Sequence, residues 1–497
     1  MKTNVFTKSP NMTQEYCCTV VKLGEIQEIP NAKTVAKTLV NGRTIVISKD
    51  RKEGDVMIYC SNESQLNFDF LSVNNLFQHT NLNCNADEVE QWKQEHLDAT
   101  EDEVKEYLRQ HRGYFDDKGR VKMKKLAGEV SMGVLFELET LKKWCPNLDV
   151  NLEEYVGLDF DTVNGELFIQ PYIPKIKTRE HSKGNKRNKK LLKYDRLIPG
   201  HFEFHYDTQQ FERNMHRFTP DNVVTISNKI HGTSYIIANV LVNKPKYKGL
   251  YEKLFLYLPK FLRFTKQEYD VIYSSRSVVK NQFINNGKVG YSVGLDACFN
   301  KYYELLKDYI PENYSIYGEI FGYCEDSNSF IQKVGKGYDY KCKPGENKFM
   351  PYRITVRNED GKKIELSVQE VQEFTFKLIN QLTNEGKTDV AKRIYPIDIL
   401  YYGSLKDLYP DIDTEQHWRE NFLERIKNDK DKFGMELNEP LCRNTVPREG
   451  IVIRIENDVI PEAFKLKCLK FLGKESEEID RGTYEDAEML EHYTEEQ

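Results

Sequence analysis

The chain has 497 residues, 39% hydrophobic and 30% charged, with 72 Lys and Arg against 78 Asp and Glu for a formal net charge of −6. That length fits two or three globular domains, and no apolar run approaches the ~20 residues of a membrane span. Ten cysteines without a C-x-x-C pair exclude a zinc ribbon or a secreted disulfide framework, so a reduced, cytoplasmic chain is expected.

In chain order, Cys17 to Leu66 reads as short strands. Apolar or alternating runs at Thr19-Val-Val, Arg43-Thr-Ile-Val-Ile-Ser48 and Val56-Met-Ile-Tyr59 are broken by Pro30-Asn31, Asn41-Gly42 and Gly54-Asp55. Such a series fits a small barrel. Asp87 to Gln110, charged and free of Gly and Pro, predicts a helical insertion, after which Arg120 to Met123 and Gly133 to Phe136 resume as strands. Lys183 to Lys190 reads as a basic linker, and Glu475 to Gln497 as an acidic tail. From Asn222 the strand pattern returns, with helices expected at Leu295 to Asp308, Val368 to Leu382 and Trp418 to Lys427. Ser367 to Thr445 is expected to be mostly helical, with a loop at Asn438 to Arg443.

The chemistry-bearing residues lie in five separated stretches: Lys229-Ile-His-Gly-Thr233, Ser275-Arg276, Tyr317-Gly-Glu-Ile320, Glu449-Gly-Ile-Val-Ile-Arg454 and Lys465-Leu-Lys467. They supply an amine nucleophile, two acids and several cations, an inventory suited to attack on a nucleotide α-phosphate. A solvated lysine is almost fully protonated at neutral pH, so Lys229 is expected among cations or partly buried. Gly232, lacking a Cβ, lets the turn approach a ligand closely.

In this order the stretches resemble motifs I, Ia, III, IV and V of the covalent nucleotidyltransferases, the superfamily of RNA ligases, DNA ligases and mRNA capping enzymes. The His within the first motif is similar to the nick-sealing branch of RNA ligases. Upstream, Val20 to Glu25, Gly54-Asp55 and Gly119 to Lys124 with Ser131-Met-Gly133 resemble the N-terminal OB domain of one RNA-ligase class. The resemblance implies an α+β chain: an OB-like β-barrel with a helical insertion near 87–110 in residues 1–182, a basic linker at 183–197, then a nucleotidyltransferase domain of ATP-grasp-like antiparallel sheets plus helices at 198–474. Residues 367–445 would be an insertion in that domain, and 475–497 an acidic tail.

It further implies ATP as substrate and Mg²⁺ or Mn²⁺ as cofactor. Lys229 would be the nucleophile, assisted by His231, Lys465 and Lys467. Gly232, Arg276 and Glu319 would contact the nucleotide, Tyr352 would stack on the base with Phe349 in reserve, and Glu449 would hold the metal. Arg353 departs from the family pattern, which has an acidic residue after the stacking aromatic. The expected partner is nicked RNA or an RNA-containing duplex, engaged by a monomer in RNA repair and without a membrane. A DNA ligase or a capping guanylyltransferase would share Lys229 and both acids, although capping enzymes carry their OB unit after the fifth motif. A non-catalytic RNA- or tRNA-binding OB protein is the other reading.

Overall fold

A computed structural model describes residues 5–174, 196–281, 295–325, 328–358, 360, 362–457 and 461–484. The chain divides into two compact units, Met1–Pro174 and Lys175–Gln497. The basic 183–190 stretch and the tail from 485 lie outside the described residues. Among the described residues no helix is long and apolar enough to cross a membrane.

The first unit consists of small antiparallel sheets around one apolar core. Cys18–Lys22 pairs with Val56–Ser61, which pairs with Gly133–Phe136, and Val35–Val40 pairs with Arg43–Ser48. Phe70, Phe136, Phe160 and Phe168 fill the centre. The insertion is two helices, Ala86–Glu95 and Glu101–His111, because Thr100 and Glu103 form a capping box that starts a second helix. Arg120 to Met123 is not a regular strand: Arg120 makes a single bridge to Gln65 and is buried in an ion pair with Glu63, and the strand begins at Lys124.

The second unit is built on two sheets. We label its elements β1 (Val223–Lys229), β2 (Thr233–Pro245), β3 (Thr265–Ser274), α1 (Leu295–Leu306), β4 (Tyr314–Gly322), β5 (Asn347–Arg357), β6 (Lys363–Glu365), α2 (Val368–Asn384), β7 (Ile399–Ser404), α3 (Trp418–Lys427), β8 (Gly450–Ile455), β9 (Glu462–Lys467) and α4 (Leu469–Arg481). One sheet runs β3-β2-β4-β5-β6; the other runs β9-β8-β1-β7, with the short strand Gln209–Gln210 parallel to β9 at its edge. α1 and α2 cover one face of the first sheet, burying Phe299, Tyr302, Val371 and Leu378 against Tyr235 and Ile316. Each such side chain contributes about 1.5–3 kcal/mol by leaving water.

Two expectations fail here. The 367–445 stretch is not a mostly helical appendage, because β7 pairs directly with β1 and α2 belongs to the core. The acidic stretch does not become a tail at Glu475, since α4 continues to Arg481 and buries Ser476, Glu478 and Ile479.

Candidate active site

β1 is buried on both faces from Val224 to Asn228, and its period of two puts Thr225, Ser227 and Lys229 on the face opposite Val224 and Ile226. The register then sets a row across three strands. Lys229 lies opposite Gly450 on β8, and Gly450 lies opposite Lys467 on β9. Lys465, two residues before Lys467, falls on the same face. Glu449, immediately before β8, is thereby brought to Lys229, its Oε1 2.8 Å from the Nζ.

Two glycines allow this closeness. A Cβ on Gly450, whose φ is +150°, would lie 2.0 Å from the Leu466 carbonyl oxygen. A Cβ on Gly232 would lie 2.4 Å from the Ile320 carbonyl oxygen and 2.8 Å from Glu319 Cγ. The space is used, because the Gly232 N–H donates to Glu319 Oε1 at 3.1 Å. The turn is further held by the His231 N–H donating to the Tyr340 hydroxyl (2.7 Å) and by Gln332 donating to the Gly232 carbonyl (2.9 Å). The His231 ring meets Tyr338 and Phe471 edge-on, with Nδ1 3.7 Å from Glu449 Oε2. Arg448 donates to Asn228 Oδ1 at 2.9 and 3.2 Å, tying the residue before Glu449 to β1.

The electrostatics differ from the sequence expectation. Burial pulls the Lys229 ammonium toward the neutral form, but the Glu449 and Glu319 carboxylates outweigh it, and its pKa lies above the ordinary lysine value. Burial likewise opposes ionisation of Glu449, yet Lys229, His231 and Lys467 hold its pKa below the usual glutamate value. The site is therefore an ion pair, with Lys229 protonated. Lys467 also pairs with Glu475 at 3.7 Å and lies over the Phe471 ring.

The aromatic side of the site comes from a β-bulge. Tyr317 on β4 pairs with Arg353 on β5 and Gly318 pairs with Pro351, so Tyr352 is the extra residue. A bulge lets two consecutive side chains serve one face. Tyr352 meets His205 edge-on at 5.3 Å, while the Arg353 guanidinium lies between the rings of Tyr206 (4.5 Å) and Tyr317 (4.4 Å) and donates to Glu365 at 2.9 Å. The Arg353 charge is thus met by a carboxylate of β6. Phe349 is not available for stacking: it is 1% exposed and packs in the core against Tyr235 and Tyr302. Arg276 pairs with Asp207.

His205 and Tyr206 are absent from the sequence reading. Burial, and then the charges of Arg353, Arg276, Lys229 and Lys465, push the His205 imidazole down to about 3, so the ring is neutral. Its Nδ1 is buried and makes no hydrogen bond among the described residues. The aromatic run Phe202 to Tyr206 was the available signal, but it belongs to no regular element.

The donor set fits a hard divalent cation. Glu449 Oε2 is buried, lies 3.7 Å from His231 Nδ1 and accepts no hydrogen bond among the described residues, and a buried carboxylate oxygen without a hydrogen bond is costly. No group of three or more His, Cys, Asp or Glu side chains forms a cage among the described residues. Mg²⁺ or Mn²⁺ held by one or two carboxylates and otherwise by water and phosphate meets both conditions.

No family model matches the chain, and no curated protein matches it. Solved structures do. A variant RNA ligase of Naegleria gruberi with ATP and Mn superimposes with a TM-score of 0.51 at 18% identity, covering 92% of this chain and 98% of the other. A second variant with ATP and Mn gives 0.50 at 18% identity over 93% and 99%. An apo variant gives 0.50 at 17% identity over 92% and 98%. At these identities the likeness shows the fold, a mixed α/β architecture with several antiparallel sheets.

Proposed function

We propose that the chain is an ATP-dependent RNA ligase that joins 3′-OH and 5′-phosphate ends. The observation carrying this reading is the row Lys229, Gly450, Lys467, which places an amine, the Glu449 carboxylate and two lysines at one spot. The likeness to RNA ligases solved with ATP and Mn supports the same conclusion. Lys229 Nζ, once deprotonated, attacks the α-phosphorus; a P–N bond forms and pyrophosphate leaves, giving lysyl-AMP. The AMP passes to a 5′-phosphate, and a 3′-OH then displaces it. Lys465 and Lys467 offset charge gathering on the phosphoryl oxygens. Tyr352, His205 and Arg276 face the nucleotide, and Gly232 admits it.

Glu449 would hold the divalent cation, with Glu319 beside it. Bound there, the ion would supply positive charge to the phosphoryl oxygens. The first unit is read as an OB-like grip on nucleic acid, with Lys125 exposed while Lys122 pairs with Asp116 and Lys124 donates to the Tyr114 carbonyl. The setting read for the chain is cytoplasmic RNA repair, in keeping with ten cysteines and no C-x-x-C pair in the sequence.

The test is a denaturing gel after incubation with α-labelled ATP and Mg²⁺. The chain should retain acid-labile AMP, and Lys229→Ala should retain none, with its circular dichroism unchanged. Label kept by that variant, or GMP taken in place of AMP, overturns the reading.

A further inference from the structure

β2 and β3 run on past the rest of their sheet and are joined by an unusual tip. From Lys244 to Lys266 stand six lysines and Arg263 against a single acid, Glu252, in a chain whose total charge is −6; the end lysines pair with Asp270 and Glu268 of β3, which leaves the excess charge with the lysines between them. The same tip exposes large side chains: Phe261 is 78% exposed, Leu250 73%, Tyr257 56% and Tyr247 51%.

These rings are held out by an ordered scaffold. The Arg263 guanidinium donates to the carbonyls of Leu256 and Leu258, both at 2.8 Å. The Tyr251 hydroxyl donates to the Leu262 carbonyl and accepts from the Phe264 N–H, both at 2.7 Å. Phe255 and Leu256 are buried beneath. Contiguous exposed aromatics on an ordered support mark an interaction surface. The surrounding lysines specify an anionic partner.

Rings and cations alternate in sequence, as in Lys246-Tyr247-Lys248 and Lys260-Phe261, and the helices here are only three to five residues long. A membrane-surface helix instead segregates its charges on one face of a longer element. Alternation suits a polymer that repeats a flat base and a phosphate. Stacking needs unpaired bases, so the partner is a single strand. β2 spans Thr233 to Pro245, on the order of 40 Å at ~3.3 Å per residue. The tip thus lies about a dozen nucleotides from the nucleophile at the roughly 3.4 Å per nucleotide of a stacked strand.

We propose that the 244–266 tip is a stacking platform that holds an unpaired RNA tail about a dozen nucleotides from the ends being joined. This rests on the ligase reading, and it narrows the substrate to RNA with a single-stranded extension.

The test compares the full chain with two triple variants, Tyr247→Ser/Tyr257→Ser/Phe261→Ser and Lys246→Gln/Lys248→Gln/Lys260→Gln. The probes are a nicked RNA duplex with an oligo(U) tail of about 20 nucleotides, longer than the span to the tip, and the same duplex without it. The aromatic variant should bind the tailed RNA about tenfold weaker with an unchanged salt slope, and the untailed RNA as before. The lysine variant should reduce the salt slope for tailed RNA by about 2. Both variants should keep full AMP labelling. Equal affinity of all three proteins for tailed RNA overturns the proposal. So does loss of binding to phosphatidylserine-containing vesicles with RNA affinity unchanged. Absence of AMP labelling in the unaltered chain overturns the ligase reading alone, since the platform is judged by tail-dependent affinity.

Discussion

At the scale of single residues, Lys229 and Glu449 hold each other ionised, and this has a measurable sign. The Lys229 pKa lies above its ordinary value because the acids outweigh burial. In Glu449→Gln the midpoint for modification of Lys229 by an amine reagent, followed by mass spectrometry, should fall by about one unit or more. An unmoved midpoint would show that Glu449 does not govern the ionisation of Lys229. Gly450 carries a second expectation. Alanine there meets the Leu466 carbonyl, so Gly450→Ala should cost at least about 2 kcal/mol in urea unfolding and lose AMP labelling, whereas an unstrained site would show neither. Lys229, Gly232 and Glu449 were legible in the sequence because each residue type has a chemical reason to be there. His205 was not: a neutral imidazole among four cations is made by chain segments far apart in sequence, and no local pattern announces it.

At the scale of elements, period and capping served well where the local signal agreed with packing. Ser367 and Glu370 form a capping box at the start of α2, and α3 has the bounds its amphipathic pattern predicts. β7 was missed because Ile399-Leu-Tyr-Tyr-Gly-Ser404 lacks clean alternation and becomes a strand by pairing with β1. The link between α1 and β4 gives another test. Glu325, just after β4, is buried and ion-paired to Lys301 of α1 and to Arg393. Burial opposes its ionisation, but those cations prevail and hold its pKa below the usual 4.5. An acid depressed in the folded state adds stability above its unfolded pKa and loses it as pH falls through the folded one. Acid unfolding of Glu325→Gln should therefore be less steep below pH 4.5 than that of the unaltered chain. Parallel curves would remove Glu325 from the acid transition.

At the scale of the molecule, the two units have separate cores, and the residues of the proposed nucleotide chemistry all belong to the second. A fragment beginning at Arg196 should accept AMP on Lys229 while sealing nicked RNA at least about tenfold more slowly, because half of the proposed grip is gone. Equal sealing by a soluble fragment would deny the first unit that task. The existence of two units was legible from a change of pattern near the basic stretch. The basic and aromatic tip was not, since the total charge of −6 hides seven positive residues gathered at one hairpin end.

Tyr352 makes β5 a strand read in two phases. Before it, Phe349 faces the core; after it, Ile354 does, although the interval is odd. Deleting that one residue shortens the interval from five to four, which leaves Phe349 and Ile354 on the core face in plain alternation, so a single-codon loss at 352 should keep the register with β4 and remove only the bulge and its ring, whereas a loss at 354 should turn one half of the strand inside out. Alignment of this chain with a relative lacking the bulge would need a gap inside a buried strand, where gaps are ordinarily penalised most heavily.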